Sequence, residues 1–154
     1  MSTTADTSRA DVVDIRAAVA TDADRVFALL QQLLSIGYAP DRVAFDGSFE
    51  ELLSEDRYSV LLVAEGAQNK LLGYALTTVS PLLHTYGSSA QLQELVVDDA
   101  HRNTGIGTAL VEAVEALCRA RNVRELTVPS RRSADFYERL GYRSTADLLK
   151  RTFD

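Results

Sequence analysis

Tryptophan is missing from this chain of 154 residues; cysteine and methionine occur once each, histidine twice and proline three times. A single cysteine, Cys118, excludes an intrachain disulfide and gives no sign of an oxidising compartment. With two histidines and one cysteine the usual nitrogen and sulfur ligand sets cannot be assembled, so no metal is expected. No apolar run approaches ~20 residues, which speaks against a helical membrane span, and the opening MSTTADTSRADVV lacks the basic segment and apolar core of a secretory signal. Cations are in deficit, 16 Lys and Arg against 22 Asp and Glu, for a net charge of −6. Nucleic acids and anionic membranes select a basic face, so neither is an expected partner, whereas a cationic ligand such as an amine suits this balance. The expectation is a soluble cytoplasmic protein.

What is present, 46% hydrophobic and 25% charged residues, suits one globular domain able to close its own core. Residues Met1 to Asp11 are small and polar and read as a flexible lead-in, leaving 12–154 as the domain. Val12 to Arg16 is a short strand with Val13 and Ile15 on one face. Thr21 is expected to cap a helix, with Asp24 three residues on, and Ala23, Val26, Phe27, Leu30, Leu33 and Leu34 recur at helical spacing until Gly37. Tyr38 to Gly47 reads as a loop, after which Ser48 and Glu51 form the capping pair of a short helix bearing Phe49, Leu52 and Leu53.

Two β-rich runs, Tyr58 to Ala64 and Leu71 to Val79, are joined by the turn-forming EGAQNK as a hairpin. Ser80 to Ser89 is expected to be a loop and Gln91 to Val97 a strand. A long amphipathic helix follows, then a strand from Val123 to Val128 stopped by Pro129. Ser133 or Ser130 caps a short helix that ends at Gly141, and Tyr142 to Phe153 reads as a last strand. The order β-α-α-β-β-β-α-β-α-β predicts an α/β domain with a mixed, mostly antiparallel central sheet flanked by helices, and a parallel crossover through the long helix.

The chemistry concentrates in QELVVDDAHRNTGIGTALVEAVEALCRAR, from Gln93 to Arg121. A strand delivers a polar turn holding Arg102, Gly105 and Gly107 onto the start of the long helix. Unpaired N–H groups and the positive end of the helix dipole then meet at one point, which favours a phosphate. Arg102 and the hydroxyls of Thr104 and Thr108 are candidate further donors. The longer glycine fingerprint of a dinucleotide site and the Gly-Lys-Ser/Thr ending of a P-loop are both absent. A plain glycine turn feeding a helix is the bland alternative.

LQELVVDDAHRNTGIGTALVEAV resembles the coenzyme-binding motif of the GNAT superfamily of N-acetyltransferases, DFYERLGY resembles that family's later tyrosine motif, and VVDIRAAVATDADRVFALL is similar to its opening strand and helix. The resemblance implies acetyl-CoA as co-substrate, with its pyrophosphate on the backbone of Arg102, Asn103, Thr104, Gly105, Ile106 and Gly107 and on Thr108. It puts the pantetheine arm beside Leu95, Val96 and Val97 on a bulged strand splayed from its parallel neighbour. Without a bulge, Leu92 and Val96 fall on one face and Leu95 and Val97 on the other; a bulge is one way to reset that alternation.

Tyr137 matches the family's tyrosine, which protonates the departing thiolate; the plain alternative is a core aromatic. Glu94, on the strand beside the expected thioester, is the candidate base for the amine, against a solvated or paired strand-edge glutamate; His84 and Asp98 are weaker alternatives. Relatives carry Asn ahead of the tyrosine helix where this chain reads Pro129-Ser130-Arg131-Arg132-Ser133. Ser130, Ser133 and Phe136 are therefore the coenzyme candidates there, with Arg131 and Arg132 as further phosphate contacts or simply solvated. Asn103 stands where a glycine is frequent in the family. Cys118 reads as a buried inert thiol and His101 as exposed.

The expected activity is acetyl transfer from acetyl-CoA to a primary amine of a small molecule or peptide by direct attack in a ternary complex. A catalytically inactive acyl-CoA-binding or regulatory module and a nucleotide-binding protein are the readings from other classes. The segments expected to choose the acceptor, Gly37 to Glu55 and Ser80 to Ser89, carry no recognisable code, and a homodimer is expected from family resemblance alone.

Overall fold

The computed structural model describes residues 13–33, 40–130 and 133–153. The expected lead-in, the helix end at Gly37, the loop start at Tyr38 and both Arg131 and Arg132 lie outside the described residues.

A five-stranded sheet in the order β1-β2-β3-β4-β5 is formed by β1 (Asp14–Ala17), β2 (Ser59–Glu65), β3 (Leu71–Leu82), β4 (Gly87–Val97) and β5 (Glu125–Thr127). Neighbours from β1 to β4 are antiparallel, and β4 pairs with β5 in parallel. One face is covered by α1 (Ala23–Leu33) and α2 (Arg42–Ser54), and the other by α3 (Ile106–Ala120) and the short α4 (Ala134–Arg139). The expected mixed α/β architecture is therefore present.

Strand alternation splits the core in two. Leu61, Val63, Leu71, Tyr74 and Val96 meet Val26, Leu29 and Phe49 of α1 and α2, while Leu62, Ala64, Ala75 and Leu92 meet Ile106, Leu110, Val111, Val114 and Cys118 of α3. Val13 and Ile15 share the α3 side, as the sequence pattern predicts. α3 ends where Asn122 turns into the left-handed region at φ 56, and Val123 N–H donates back to Cys118 O at 2.9 Å.

Several boundaries differ from expectation. Thr21 does not cap a helix; it lies in a 3₁₀ turn, Ala20–Asp22, because the neighbouring Asp22 carboxylate accepts Val19 N–H at 2.8 Å. Nor does Ser48 open α2, which starts six residues earlier. Asp41 caps it by accepting from Val43 N at 3.0 Å and Ala44 N at 3.2 Å, and Phe45 and Phe49, one turn apart, carry the helix across Gly47 by stacking at 5.4 Å.

The expected Ser80 to Ser89 loop shrinks to the turn 83–86, because β3 and β4 stay paired out to Leu82↔Gly87. Pro81 is tolerated in β3 since Val79 N–H, two residues back, points to Tyr58 O, and β2 does not extend to meet position 81. Strand β5 is shorter than its expected span. Ser133 sits at the start of α4, yet its hydroxyl makes no capping bond. The last expected strand, Tyr142 to Phe153, is not formed: residues 143–153 have neither helix nor strand and no neighbour in the sheet order.

The edge at β1 is tied to α1 through Asp22, which is fully buried. It accepts from Arg16 at 2.8 and 2.9 Å and from Arg25 at 2.5 Å, and Arg16 also reaches Glu65 at 2.6 Å. The Arg16 hydrogen bonds hold the Asp22 carboxyl below its usual range, opposing the effect of burial. Asp22→Ala removes the shared acceptor and is expected to cost roughly 2–3 kcal/mol, read as the urea midpoint at neutral pH. Because the folded-state value is depressed, this contribution is complete above the ordinary carboxylate pKa of about 4 and is lost as pH falls through the lowered value, so parent and variant converge in acid.

Candidate active site

Strand β4 changes register halfway along. Leu76 pairs with Glu94 and Thr77 with Leu92, so Gln93 is the extra residue of a β-bulge. The bulge places Leu92 with Leu95 and Val97 on the α3 face, while Val96 is buried on the opposite face. Past the bulge β4 also loses its other neighbour. Pairing with β5 covers only Ser89↔Glu125, Ala90↔Leu126 and Gln91↔Thr127, so among the described residues β4 runs on to Val97 with no strand on that side. An extended ligand with amide groups can add to such an unclaimed edge as a strand would.

The loop after β4 is fixed from below. Asp98 accepts from Gln32 of α1 at 2.9 Å and lies 2.8 Å from His101 Nδ1, and Gln32 Oε1 in turn accepts Asp99 N–H at 2.8 Å. The hydrogen bonds from Gln32 and His101 hold the Asp98 carboxyl below the usual range. His101 is thus half-buried and hydrogen-bonded, not simply exposed. Asp98, so engaged, is poorly suited to the alternative role of base.

Asn103 adopts a left-handed conformation at φ 62, which asparagine tolerates better than most non-glycine residues, and the Thr104 hydroxyl donates to His101 O. Gly105, at φ +89, is the residue before α3 and offers no side-chain cap. The first α-helical bond runs from Ala109 N to Gly105 O at 3.0 Å, so the N–H groups of Ile106, Gly107 and Thr108 have no partner within the helix. They face outward at the positive end of a 15-residue helix. Arg102 is exposed and paired with Asp99 at 2.6 Å, so its guanidinium is turned to a carboxylate.

Three elements meet at Gly107. A Cβ there would stand 3.4 Å from Phe136 Cζ and 3.6 Å from Val97 Cγ2, which brings the end of β4, the start of α3 and the helix α4 into contact. Tyr137 is buried against Phe136 at 5.0 Å and Tyr142 at 5.8 Å, both edge to face. The Tyr142 hydroxyl donates to Glu115 of α3 at 2.8 Å and pins the end of α4. Burial pushes the Tyr137 phenol up to about 12, so it keeps its proton at neutral pH. Ser130 and Ser133 are both exposed at the approach to α4.

Glu94 is half-buried on the other face of the sheet and accepts a hydrogen bond from Tyr74 at 2.9 Å. Tyr74 is 3% exposed, and burial, with the Glu94 charge and hydrogen bond added, raises its phenol well above the ordinary range, so it acts as a fixed donor. The sequence reading missed Tyr74. The available signal was a tyrosine in a buried strand, whose hydroxyl needs a partner. His84 lies in the β3–β4 turn beside Glu125, at the far end of β4 from Val97, away from this cluster. Cys118 lies on the buried face of α3, and burial raises its thiol. Among the described residues no cluster of metal-ligating side chains occurs, and no helix is long and apolar enough to cross a membrane.

Residues 24–142 match the model of the acetyltransferase (GNAT) family, and the chain belongs to that family. A probable glucosamine 6-phosphate N-acetyltransferase of Drosophila melanogaster is 27% identical over 125 residues, covering 79% of this chain; the chain spans 57% of that relative's length. The crystal structure of a transcriptional regulator from Bacillus halodurans C-125 superposes with a TM-score of 0.82 at 25% identity, over 92% of this chain and 100% of the other. A glucosamine-6-phosphate N-acetyltransferase from Arabidopsis thaliana gives a TM-score of 0.81 at 23% identity, over 94% and 100%, and this second likeness speaks to the fold.

Gly105→Ala puts a Cβ on a left-handed residue and is expected to lower stability by about 1 kcal/mol, read from urea denaturation. Gly107→Ala, at an ordinary helical conformation with its Cβ only 3.4 Å from Phe136, is expected to shift the Phe136 ring resonances in NMR spectra while changing stability less than Gly105→Ala does.

Proposed function

We propose that the protein transfers the acetyl group of acetyl-CoA to a primary amine of a small molecule or peptide by direct attack in a ternary complex. The observation that carries this reading is the meeting of the unpaired edge of β4 with the uncapped start of α3. Bound there, acetyl-CoA supplies an activated thioester carbon.

The residues fit that group in kind and order. The N–H groups of Gly105 to Thr108 offer donors and a positive dipole end to a diphosphate. Leu95 and Val97, whose backbone groups alternate away from β3, offer donors and acceptors to the amides of an extended arm, and one such N–H can polarise a carbonyl; Val96 between them pairs with Tyr74 of β3 and flanks the arm without bonding it. Gly107, with Phe136 above it, leaves room for close approach. Exposed Ser130 and Ser133 border the same helix α4.

Glu94 is assigned as base: with Tyr74 on Oε1, its second oxygen is left to accept a proton from the amine. Tyr137 holds the proton destined for the sulfur. Burial weakens the phenol as an acid, and the same apolar surroundings strengthen a thiolate as a base, so the two shifts offset each other. A cytoplasmic setting is consistent with one free, buried cysteine. Glucosamine 6-phosphate, the substrate named for the Drosophila relative, heads the list of acceptors to try.

The test is release of free thiol from acetyl-CoA with a panel of amines, alongside calorimetric titration of acetyl-CoA. Tyr137→Phe and Glu94→Gln are each expected to lower kcat by about 10²-fold with little change in the affinity for acetyl-CoA. Tyr74→Phe, which leaves Glu94 in place but unaimed, is expected to lower it by about tenfold. Binding without thiol release from any amine overturns the enzyme reading in favour of an acyl-CoA-binding module; no binding overturns both.

A further inference from the structure

At the end of the sheet away from Val97 lies a cavity of about 430 Å³ that takes no part in the candidate active site. Its floor is the α3 side of the paired strands β3 and β4, with Val79, Pro81 and Ser88. Its walls are the turn 56–58 between α2 and β2 and Arg121, the residue after α3. Ser88 and Val97 stand near opposite ends of β4, roughly 30 Å apart along the strand. The volume is that of a small-ligand cleft, whose usual range is roughly 300–1,000 Å³.

Backbone bonds hold these walls in place. Val79 N–H donates to Tyr58 O at 2.8 Å and Arg121 Nη1 donates to Asp56 O at 3.4 Å, so floor, turn and helix end are tied together. The carbonyls of Leu117, Cys118 and Arg119 at the end of α3 already accept from the N–H groups of Arg121, Val123 and Asn122, which blunts the negative end of the helix dipole here. Arg57 lies over the Tyr58 ring, 5.3 Å from its centroid. Charge is the feature that needs an explanation. Arg16, Arg25, Arg42 and Arg102 are each bonded to a carboxylate, whereas among the described residues Arg57 and Arg121 have no such partner. In a chain of net charge −6, one cavity thus holds two guanidiniums against the lining carboxylate of Asp56.

We propose that this cavity binds a small carboxylate with an apolar body, its charged end on Arg121 and Arg57 and its body on Tyr58, Val79 and Pro81. Arg121 gives one nitrogen to Asp56 O and keeps the others for an incoming anion, which a guanidinium meets with paired donors. Tyr58, 46% exposed, and the exposed Pro81 present apolar surface beside those charges, so a ligand with charge at one end and hydrocarbon at the other is stabilised at both. The Ser88 hydroxyl offers a further donor from the floor. The Asp56 carboxylate opposes a second negative charge on the ligand, which favours a monoanion over phosphate. None of these residues belongs to the candidate active site, so acetyl transfer is not assumed.

Amide resonances of the full chain, followed while phenylacetate is added, test this. Those of 56–58, 79, 88 and 121 are expected to shift saturably in the low millimolar range or below, while those of 105–108 stay in place. Phenylacetamide, which keeps the ring and loses the charge, and inorganic phosphate, which keeps charge and loses the ring, are each expected to bind at least about tenfold more weakly. Arg121→Gln is expected to weaken phenylacetate by about the same factor, and Asp56→Asn to tighten it. Arg57→Gln, also at an exposed position, is expected to weaken it too and decides the matter should Arg121→Gln fail to fold. No saturable shift at the cavity, equal binding of phenylacetamide or phosphate, shifts centred on 105–108, or phenylacetate binding that survives both arginine changes overturns the proposal.

Discussion

The structure depends on what β4 is obliged to do. It must pair with β3 along its whole length and with β5 only at its start, and the two demands are reconciled by one extra residue, Gln93. Before the bulge the strand is an ordinary interior member of a sheet. After it, one side of the backbone is free, and the side chains on the two faces have exchanged places relative to an unbroken alternation. Everything of chemical interest lies after the bulge: Glu94 on one face, Leu95 and Val97 on the other, then the turn that starts α3.

The turn is held by contacts from outside itself. Gln32 of α1 bonds both Asp98 and Asp99, while left-handed Asn103 and Gly105 bend the chain into the helix. The uncapped N–H groups therefore rest on a support built by a segment more than sixty residues earlier in the chain. On the far side, Tyr142 and Glu115 lock α4 against α3, so that Phe136 and Tyr137 are set by packing and not by a mobile loop.

Much of this was legible in the sequence because it is local. The glycine turn with its long amphipathic helix, the aromatic run before Gly141 and the hairpin around Asn69 are patterns read within a dozen residues, and the structure shows those elements. Family resemblance, borne by the same residues, supplied the bulge. Local pattern failed where a distant partner decided the outcome. Asp22, engaged by Arg16 and Arg25, displaced the expected Thr21 cap, and Asp41 with the Phe45–Phe49 stack carried α2 across Gly47. Tyr74 meets Glu94 only through strand register, which a single sequence does not carry. The C-terminal run has strand chemistry but no strand neighbour among the described residues, so propensity alone misplaced it.

Cys118 gives the molecule an unusual convenience. Its sulfur, the sole one of its kind in the chain, sits on the buried face of α3 in its protonated form. A colorimetric disulfide reagent added to the native protein should find nothing to react with, so any chromophore that develops belongs to the solution chemistry around it. Once the packing gives way, one equivalent becomes reactive, and the chain reports its own loss of integrity in the same cuvette.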